Sequence, residues 1–390
     1  MVCVVYAQLP IRDTSASVPQ SIAAAGYPVE KHRTRTEDGY ILQIFRIPGG
    51  KKSPGRSGNT NTKRKGAVVL FHGLFGYSGN FIVLGPEQSL GYFLADAGYD
   101  VWLANLRGTV YSAHQNLSKS DMTFWDFSFH EHGKYDAPAI IDKILSVTGL
   151  PRLLYIGYSM GTTTFFTMMA QRPEYNQKII AFVGLATGVY LDNIRPLINF
   201  VQSIDLLNIL RQRGHNGIAV SQETLTYISS SFCNNLQPLS DICTKLAYAV
   251  VGDDYEQRRW DMMILFLTTM QPASFRQIEH FGKIAQTSVF TSWEDGLGRP
   301  GAEGRVKPYN LTNVRVPVTL IYGENDQLTE KSQIKRLAEE LKATGTLESI
   351  TACPWPKFNH LDFLFAKDVA SILNKPVVKL VNDLFSKYYK

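Results

Sequence analysis

Five consecutive residues limit what this chain can become: Gly157-Tyr158-Ser159-Met160-Gly161. They directly follow an apolar run, Leu153-Leu154-Tyr155-Ile156, and open a helical pattern that begins near Thr162. A serine on so sharp a strand-to-helix turn has its hydroxyl pushed above a sheet, and glycines two residues to either side, Gly157 and Gly161, leave room for the turn. The helix N-terminus behind it favours negative charge developing there. Such a string arises by chance in many chains; its place between a strand and a helix is what gives it weight.

The rest of the sequence predicts an α/β fold with a mostly parallel sheet. Short apolar runs read as strands at Tyr40 to Ile47, Ala67 to His72, Tyr99 to Ala104, Leu153 to Gly157, Ile179 to Leu185 and Val316 to Tyr322. A weaker one spans Leu347 to Ala352. Continuous apolar runs suit strands buried on both faces. Helical spacing falls between them, at Glu87 to Ala97, Ala137 to Val147, Thr162 to Gln171 and Glu330 to Lys342, and again from Leu361 to Tyr389. The alternation breaks between about Thr187 and Asn310. That stretch is helical and apolar, as in Leu197 to Leu210 and Met262 to Met270, and ends in a Gly-rich passage, Gly296 to Gly304. Residues 30–186 and 311–390 therefore read as two parts of one core, 187–310 as an inserted helical cap or lid, and 1–29 as a lead-in.

Composition closes off other classes. The 390 residues are 44% hydrophobic and 12% aromatic, which is too rich for a disordered chain. No run reaches the roughly 18 apolar residues of a membrane span. The net charge of +6 is local: Lys51, Lys52, Arg56, Lys63, Arg64 and Lys65 occupy one Gly/Ser/Asn/Thr-rich stretch, and the remaining 34 basic residues match 34 acidic ones. A solvated loop accounts for that run, with a handle for anionic lipid surfaces as the sharper reading. Neither a basic face nor a motif points to nucleic acid.

The N-terminal Met1-Val2-Cys3-Val4-Val5-Tyr6-Ala7 resembles the tail of a signal peptide, with small or apolar residues at Val5 and Ala7 before Gln8. Asn116-Leu117-Ser118 and Asn310-Leu311-Thr312 are glycosylation sequons, permissive for a secreted or lysosomal destination. Cys233 and Cys243 are near enough in sequence to close a small loop, and a bridge there would add roughly 3 kcal/mol. Cys353 then reads as a buried small hydrophobe.

A serine is a poor nucleophile unless a base and an orienting acid accompany it. In chains built around this turn the order is serine, acid, histidine. After Ser159 the histidines are His215, His280 and His360; the first two fall inside the insertion. His360 lies in Phe358-Asn359-His360-Leu361-Asp362-Phe363, just before the last helix, where a base can reach over the sheet edge. The acid should end the preceding strand, where Gly323-Glu324-Asn325-Asp326 offers two carboxylates. We take Asp326, with Glu324 as the alternative; Asp326 also stands where it could cap the next helix. Oxyanion donors are expected from the Met160 amide and from the turn His72-Gly73-Leu74-Phe75-Gly76, through Leu74. His72 itself reads as a structural residue holding that turn.

With these residues assembled, the chain resembles the acid lipase family, the lysosomal and gastric lipases and their animal relatives. The resemblance rests on Thr36-Glu37-Asp38-Gly39-Tyr40-Ile41-Leu42, the His-Gly-Leu turn, Asn105-Leu106-Arg107-Gly108 and Phe124-Trp125-Asp126-Phe127-Ser128-Phe129. The serine turn, Tyr322 to Asp326 and Phe358 to Phe363 complete it in the family's order. It implies an α/β-hydrolase core with a helical cap, and hydrolysis of neutral lipid esters at a lipid–water interface without metal or other cofactor. It further implies Ser159 as nucleophile, Asp326 as acid, His360 as base, oxyanion amides at Leu74 and Met160, and a Cys233–Cys243 disulfide. The chain departs from the family pattern at Tyr158, where many relatives carry His, and at Thr109, in place of a usual Asn. A soluble carboxylesterase or transacylase, or a non-catalytic lipid carrier, are the competing expectations.

Overall fold

The computed structural model describes residues 17–51, 65–194, 206–218, 245, 248–259, 266, 269–293 and 308–389. Residues 1–8, Cys233, Cys243, nearly all of the basic stretch and the Gly296 to Gly304 passage lie outside the described residues, as does most of each apolar stretch in the insertion.

The main sheet has nine strands: β1 (Glu30–Arg35), β2 (Tyr40–Ile47), β3 (Ala67–Phe71), β4 (Asp100–Leu103), β5 (Ser112–His114), β6 (Leu153–Tyr158), β7 (Ile179–Leu185), β10 (Val318–Tyr322) and β11 (Leu347–Ala352). Their order is β1-β2-β4-β3-β6-β7-β10-β11, with β5 paired to β2. β1, β2 and β4 pair antiparallel, and everything from β4 through β11 is parallel. A small antiparallel pair within the insertion, β8 (Gly217–Ile218) with β9 (Ala273–Ser274), stands apart.

Apolar continuity explains the middle of the sheet. Every residue of β3, β4, β6, β7 and β10 is buried. Successive side chains of β3 go to opposite faces: Val69 and Phe71 join one core cluster, Val68 and Leu70 the other. Helices cover both. Ile140 of helix Ala137–Thr148, Phe165 of helix Met160–Gln171 and Ile334 of helix Lys331–Ala343 fill the first cluster. Leu94 of helix Leu90–Asp96 and Val381 of helix Lys375–Tyr388 fill the second. Each buried side chain of this size contributes about 1.5–3 kcal/mol.

Several elements differ from expectation: β5, β8 and β9 are additional, the helix expected from Glu87 starts at Leu90, and the C-terminal helical stretch is broken, its last helix being Lys375–Tyr388. β10 begins at Val318 rather than Val316 because Pro317 has no N–H to give a ladder. β1 was not expected at all: Glu30-Lys31-His32-Arg33-Thr34-Arg35 carries no apolar residue, and its alternating exposure is that of a charged edge strand.

Between β7 and β10, helix Phe275–Thr287 opens with a capping box, in which the Ser274 side chain accepts from Arg276 N–H and Gln277 reaches back to Ser274 N–H at 2.8 Å. Its Phe281, Ile284 and Ala285 pack into the same cluster as Phe129 and Ile140. Val318 of β10 pairs with Phe182 of β7, so strands on either side of residues 187–310 are direct neighbours in the sheet.

Candidate active site

Ser159 sits between the last residue of β6 and the first turn of helix Met160–Gln171, with φ +51° and ψ −120°. A residue with a side chain holds that conformation only under constraint. Its N–H donates to Leu185 O at 2.9 Å, and the Thr162 hydroxyl donates to its carbonyl at 2.6 Å. The flanking glycines are obligatory: a Cβ on Gly161 would lie 2.3 Å from Phe71 O, and one on Gly157 2.8 Å from the Gly161 carbonyl carbon. The serine itself is half-buried while both neighbours are buried.

The structure brings Ser159, His360 and Asp326 together. His360 Nε2 is 2.9 Å from Ser159 Oγ, and His360 Nδ1 is 2.8 Å from Asp326 Oδ2. With Nδ1–H donating to the carboxylate, Nε2 is left to accept the serine proton. Asp326 is buried and held from both sides: Oδ1 accepts from the N–H groups of Leu328 and Thr329 at 2.9 and 2.8 Å, and Oδ2 also accepts from the Thr329 hydroxyl at 2.6 Å. The local turn and the imidazole are thus served by one carboxylate, and the next helix takes Glu330 as its N-cap instead. Glu324, the alternative acid, is exposed and paired with Lys331 at 2.6 Å.

The other histidines have different roles. His215 is exposed. His280 is buried, stacked on Phe129 at 3.9 Å, and bonded to Ser128 Oγ and Thr291 O; burial pushes its pKa down to about 3, so it is neutral. His72 lies 2.9 Å from Gly73 O through Nδ1 and accepts Leu106 N–H at Nε2. Burial lowers its pKa to about 4.

The turn that follows His72 abuts the serine: a Cβ on Gly73 would lie 3.0 Å from Ser159 Cβ. Among the described residues, neither the Leu74 nor the Met160 N–H donates a hydrogen bond. Nearby, Arg107 ties its own motif to the stretch at 36–42 and to helix-flanking Asp136. It bonds Asp136 at 2.7 and 2.9 Å and Asp38 at 2.6 and 2.9 Å, and stacks over Tyr40 at 3.9 Å. Thr109 closes the loop, its hydroxyl donating to Leu106 O at 2.9 Å.

Two contributors were not legible as such. The Tyr158 hydroxyl donates to His360 O at 2.9 Å. Its phenol is held neutral by burial first, and then by the charges of Asp326 and Asp362. Thr329 completes the Asp326 cradle, and its three-residue spacing from an aspartate is the only signal that could have flagged it. Cys353 is buried, with its thiol pKa raised by burial and by Asp362 and Asp326, so it remains a thiol. Asn116 and Asn310 are both exposed. Among the described residues, no His, Cys, Asp and Glu side chains gather as a metal site, and no helix is long and apolar enough to cross a membrane.

Sheet order and helix placement define an α/β hydrolase, and residues 66–361 match the family described as alpha/beta hydrolase fold. The crystal structure of a candidate lipase from Sulfolobus solfataricus shares this fold, with a TM-score of 0.54 at 14% identity over 91% of this chain and 99% of that one. Residues 18–85 match the partial alpha/beta-hydrolase lipase region. Lipase 1 of Drosophila melanogaster is 33% identical over 95% of this chain and 80% of its own length. The lysosomal acid lipase/cholesteryl ester hydrolase of Macaca fascicularis is 32% identical over 95% of this chain and 91% of its own. The chain belongs to the acid lipase family and is a carboxylic ester hydrolase.

Proposed function

We propose that this chain hydrolyses neutral lipid esters, triacylglycerol or cholesteryl ester, through an acyl-enzyme on Ser159. The observation that carries the reading is the unbroken relay from Ser159 Oγ through His360 to Asp326, at 2.9 and 2.8 Å. His360 Nε2 takes the hydroxyl proton as Oγ attacks the ester carbonyl. The carbonyl oxygen becomes an oxyanion that accepts the Leu74 and Met160 N–H groups, and the N-terminus of helix Met160–Gln171 stabilises it further. The imidazolium, oriented by Asp326, gives its proton to the departing alcohol. Water then loses a proton to Nε2 and attacks the acyl-enzyme, and the returning proton restores Ser159 as the fatty acid leaves.

Residues 187–310 are the cap in this reading, and their apolar stretches serve docking at a lipid–water interface. A secreted or lysosomal site of action fits the kinship, with exposed Asn116 and Asn310 accessible to glycan transfer. A Cys233–Cys243 bridge would tie the cap.

Replacing Ser159 by Ala should leave folding intact, abolish ester hydrolysis and prevent labelling by a fluorophosphonate probe. Full turnover by the variant would end the assignment. Emulsified long-chain triglyceride, cholesteryl ester and a soluble short-chain ester, compared across pH, then separate a lipase from a soluble esterase. A rate that does not rise above the solubility limit favours the esterase, and an unlabelled native protein a carrier.

A further inference from the structure

A short piece of the insertion, residues 251–254, runs across the loops that carry Asp326 and His360. Val251 O accepts from His360 N–H at 3.2 Å and from Gln327 N–H at 3.5 Å. Gly252 O accepts from Asn359 Nδ2 at 2.9 Å, and Asp253 O from Asn325 Nδ2 at 2.7 Å. The buried Asp254 carboxyl accepts from Trp355 Nε1 at 2.6 Å. Every partner is His360 itself or a near chain neighbour of His360 or Asp326.

The fit is close enough to dictate sequence. Gly252 has φ +96°, and a Cβ there would lie 1.8 Å from Asn325 O, so only glycine passes. The segment is anchored on its own side as well. Gly252 N–H donates to Tyr248 O at 2.9 Å and the Tyr248 hydroxyl to Asp254 O at 2.8 Å; just beyond the segment, Gln257 O accepts from Lys367 N–H, past His360, at 2.9 Å. The two loops leave separate strands, β10 and β11, and one main-chain bond, Asn325 N–H to Phe358 O at 3.2 Å, joins them directly. Residues 251–254 add the cross-bracing.

We propose that residues 251–254 form a positioning strap, through which the insertion holds the Asp326 and His360 loops at the separation their hydrogen bond requires. The strap touches neither substrate nor reacting atoms; it acts through the imidazole. The inference rests on the serine-hydrolase reading above. It makes the insertion a partner in alignment as well as a cover, since a displacement of about 1 Å in a reacting group can cost on the order of a hundredfold in rate.

The test uses the full chain with Gly252→Ala and, as a milder change, Asn325→Ala, which removes only the Asp253 contact. Three quantities are read: the melting temperature, the rate of Ser159 labelling by a fluorophosphonate, and kcat and KM on a soluble short-chain ester. Labelling rate and kcat should fall together, about tenfold or more for Gly252→Ala and severalfold for Asn325→Ala, while KM stays within about twofold. Native labelling rates in folded variants, or a loss confined to KM, would overturn the strap. Should Gly252→Ala fail to fold, Asn325→Ala decides alone. Failure of the underlying reading looks different: native protein and Ser159→Ala would then label alike.

Discussion

The hydroxyl of Tyr158 donates to the main-chain oxygen of His360 at 2.9 Å, while the edge of its ring lies 3.1 Å from where Gly73 would carry a Cβ. One side chain therefore bonds the His360 loop and lies against the turn that follows His72, from a position adjacent to Ser159.

Tyr158→Phe keeps the ring between Gly73 and Phe363 and removes one hydrogen bond, a loss of about 0.5–1.5 kcal/mol. We expect kcat on a soluble ester to drop severalfold with KM nearly unchanged and folding retained. Steady-state kinetics beside a thermal melt check this; identical kcat values would show the phenol to be a packing residue only.

Asp326→Asn should preserve the turn, because an amide oxygen can still accept from Leu328 and Thr329, yet it offers Nδ1 of His360 a donor as readily as an acceptor. Loss of the productive tautomer costs on the order of 10⁴ in kcat in enzymes of this chemistry. Single-turnover rates at neutral pH provide the measurement, and a loss below tenfold would argue for another acid.

Asp362 carries a pH dependence whose sign follows from its surroundings. Burial raises its pKa to about 8, partly offset by the Asn359 N–H and reinforced by Asp254 and Asp326. The folded chain thus holds a proton that the unfolded chain releases near pH 4, so this group's contribution to stability is full below about pH 4 and is lost as pH climbs toward 8. Asp362→Asn removes the titration. The melting temperature of the variant relative to the native protein should rise steadily between pH 4 and 8, and a flat difference would contradict the assignment. Below pH 6.5 the buried His72 and His280, whose pKa values burial lowers to about 4 and 3, work in the opposite direction and are common to both proteins.

Arg107→Met should be severe. Asp136 is fully buried and Arg107 faces it at 2.7 Å, so truncation leaves a carboxyl without its partner at a cost of about 3–5 kcal/mol. Combining it with Asp136→Leu should recover a substantial part of that loss. Urea titrations of the two variants decide the point, and no recovery in the double variant would place the cost elsewhere.

The sequence made some of this visible and left the rest dark for identifiable reasons. Ser159 is marked by glycines that sterics demand on either side, and His360 by its place after the last strand; both cues are local, and the two atoms lie within hydrogen-bonding distance. The core strands are legible because burial on both faces leaves no polar position in Val68-Val69-Leu70 or Ile180-Ala181-Phe182. β1 is invisible to the same test, its stability coming from pairing with β2 and from Arg46 bridging Glu30 and Asp100. The work of Tyr158 depends on a residue 202 positions away, and that of Gly252 on the carbonyl of Asn325. No periodicity or motif encodes such pairings, because they exist only after the loops have folded against each other.

The direct pairing of Phe182 with Val318 has an engineering consequence. Since the sheet is continuous across the junction, the intervening residues leave and rejoin it at adjacent strands, a geometry that permits their exchange between homologues. Any such chimera must bring its own glycine and carbonyl acceptors to the recipient's loops at 325–327 and 359–360. A swap that matches only the flanking strands would yield a folded scaffold with a loosened catalytic base.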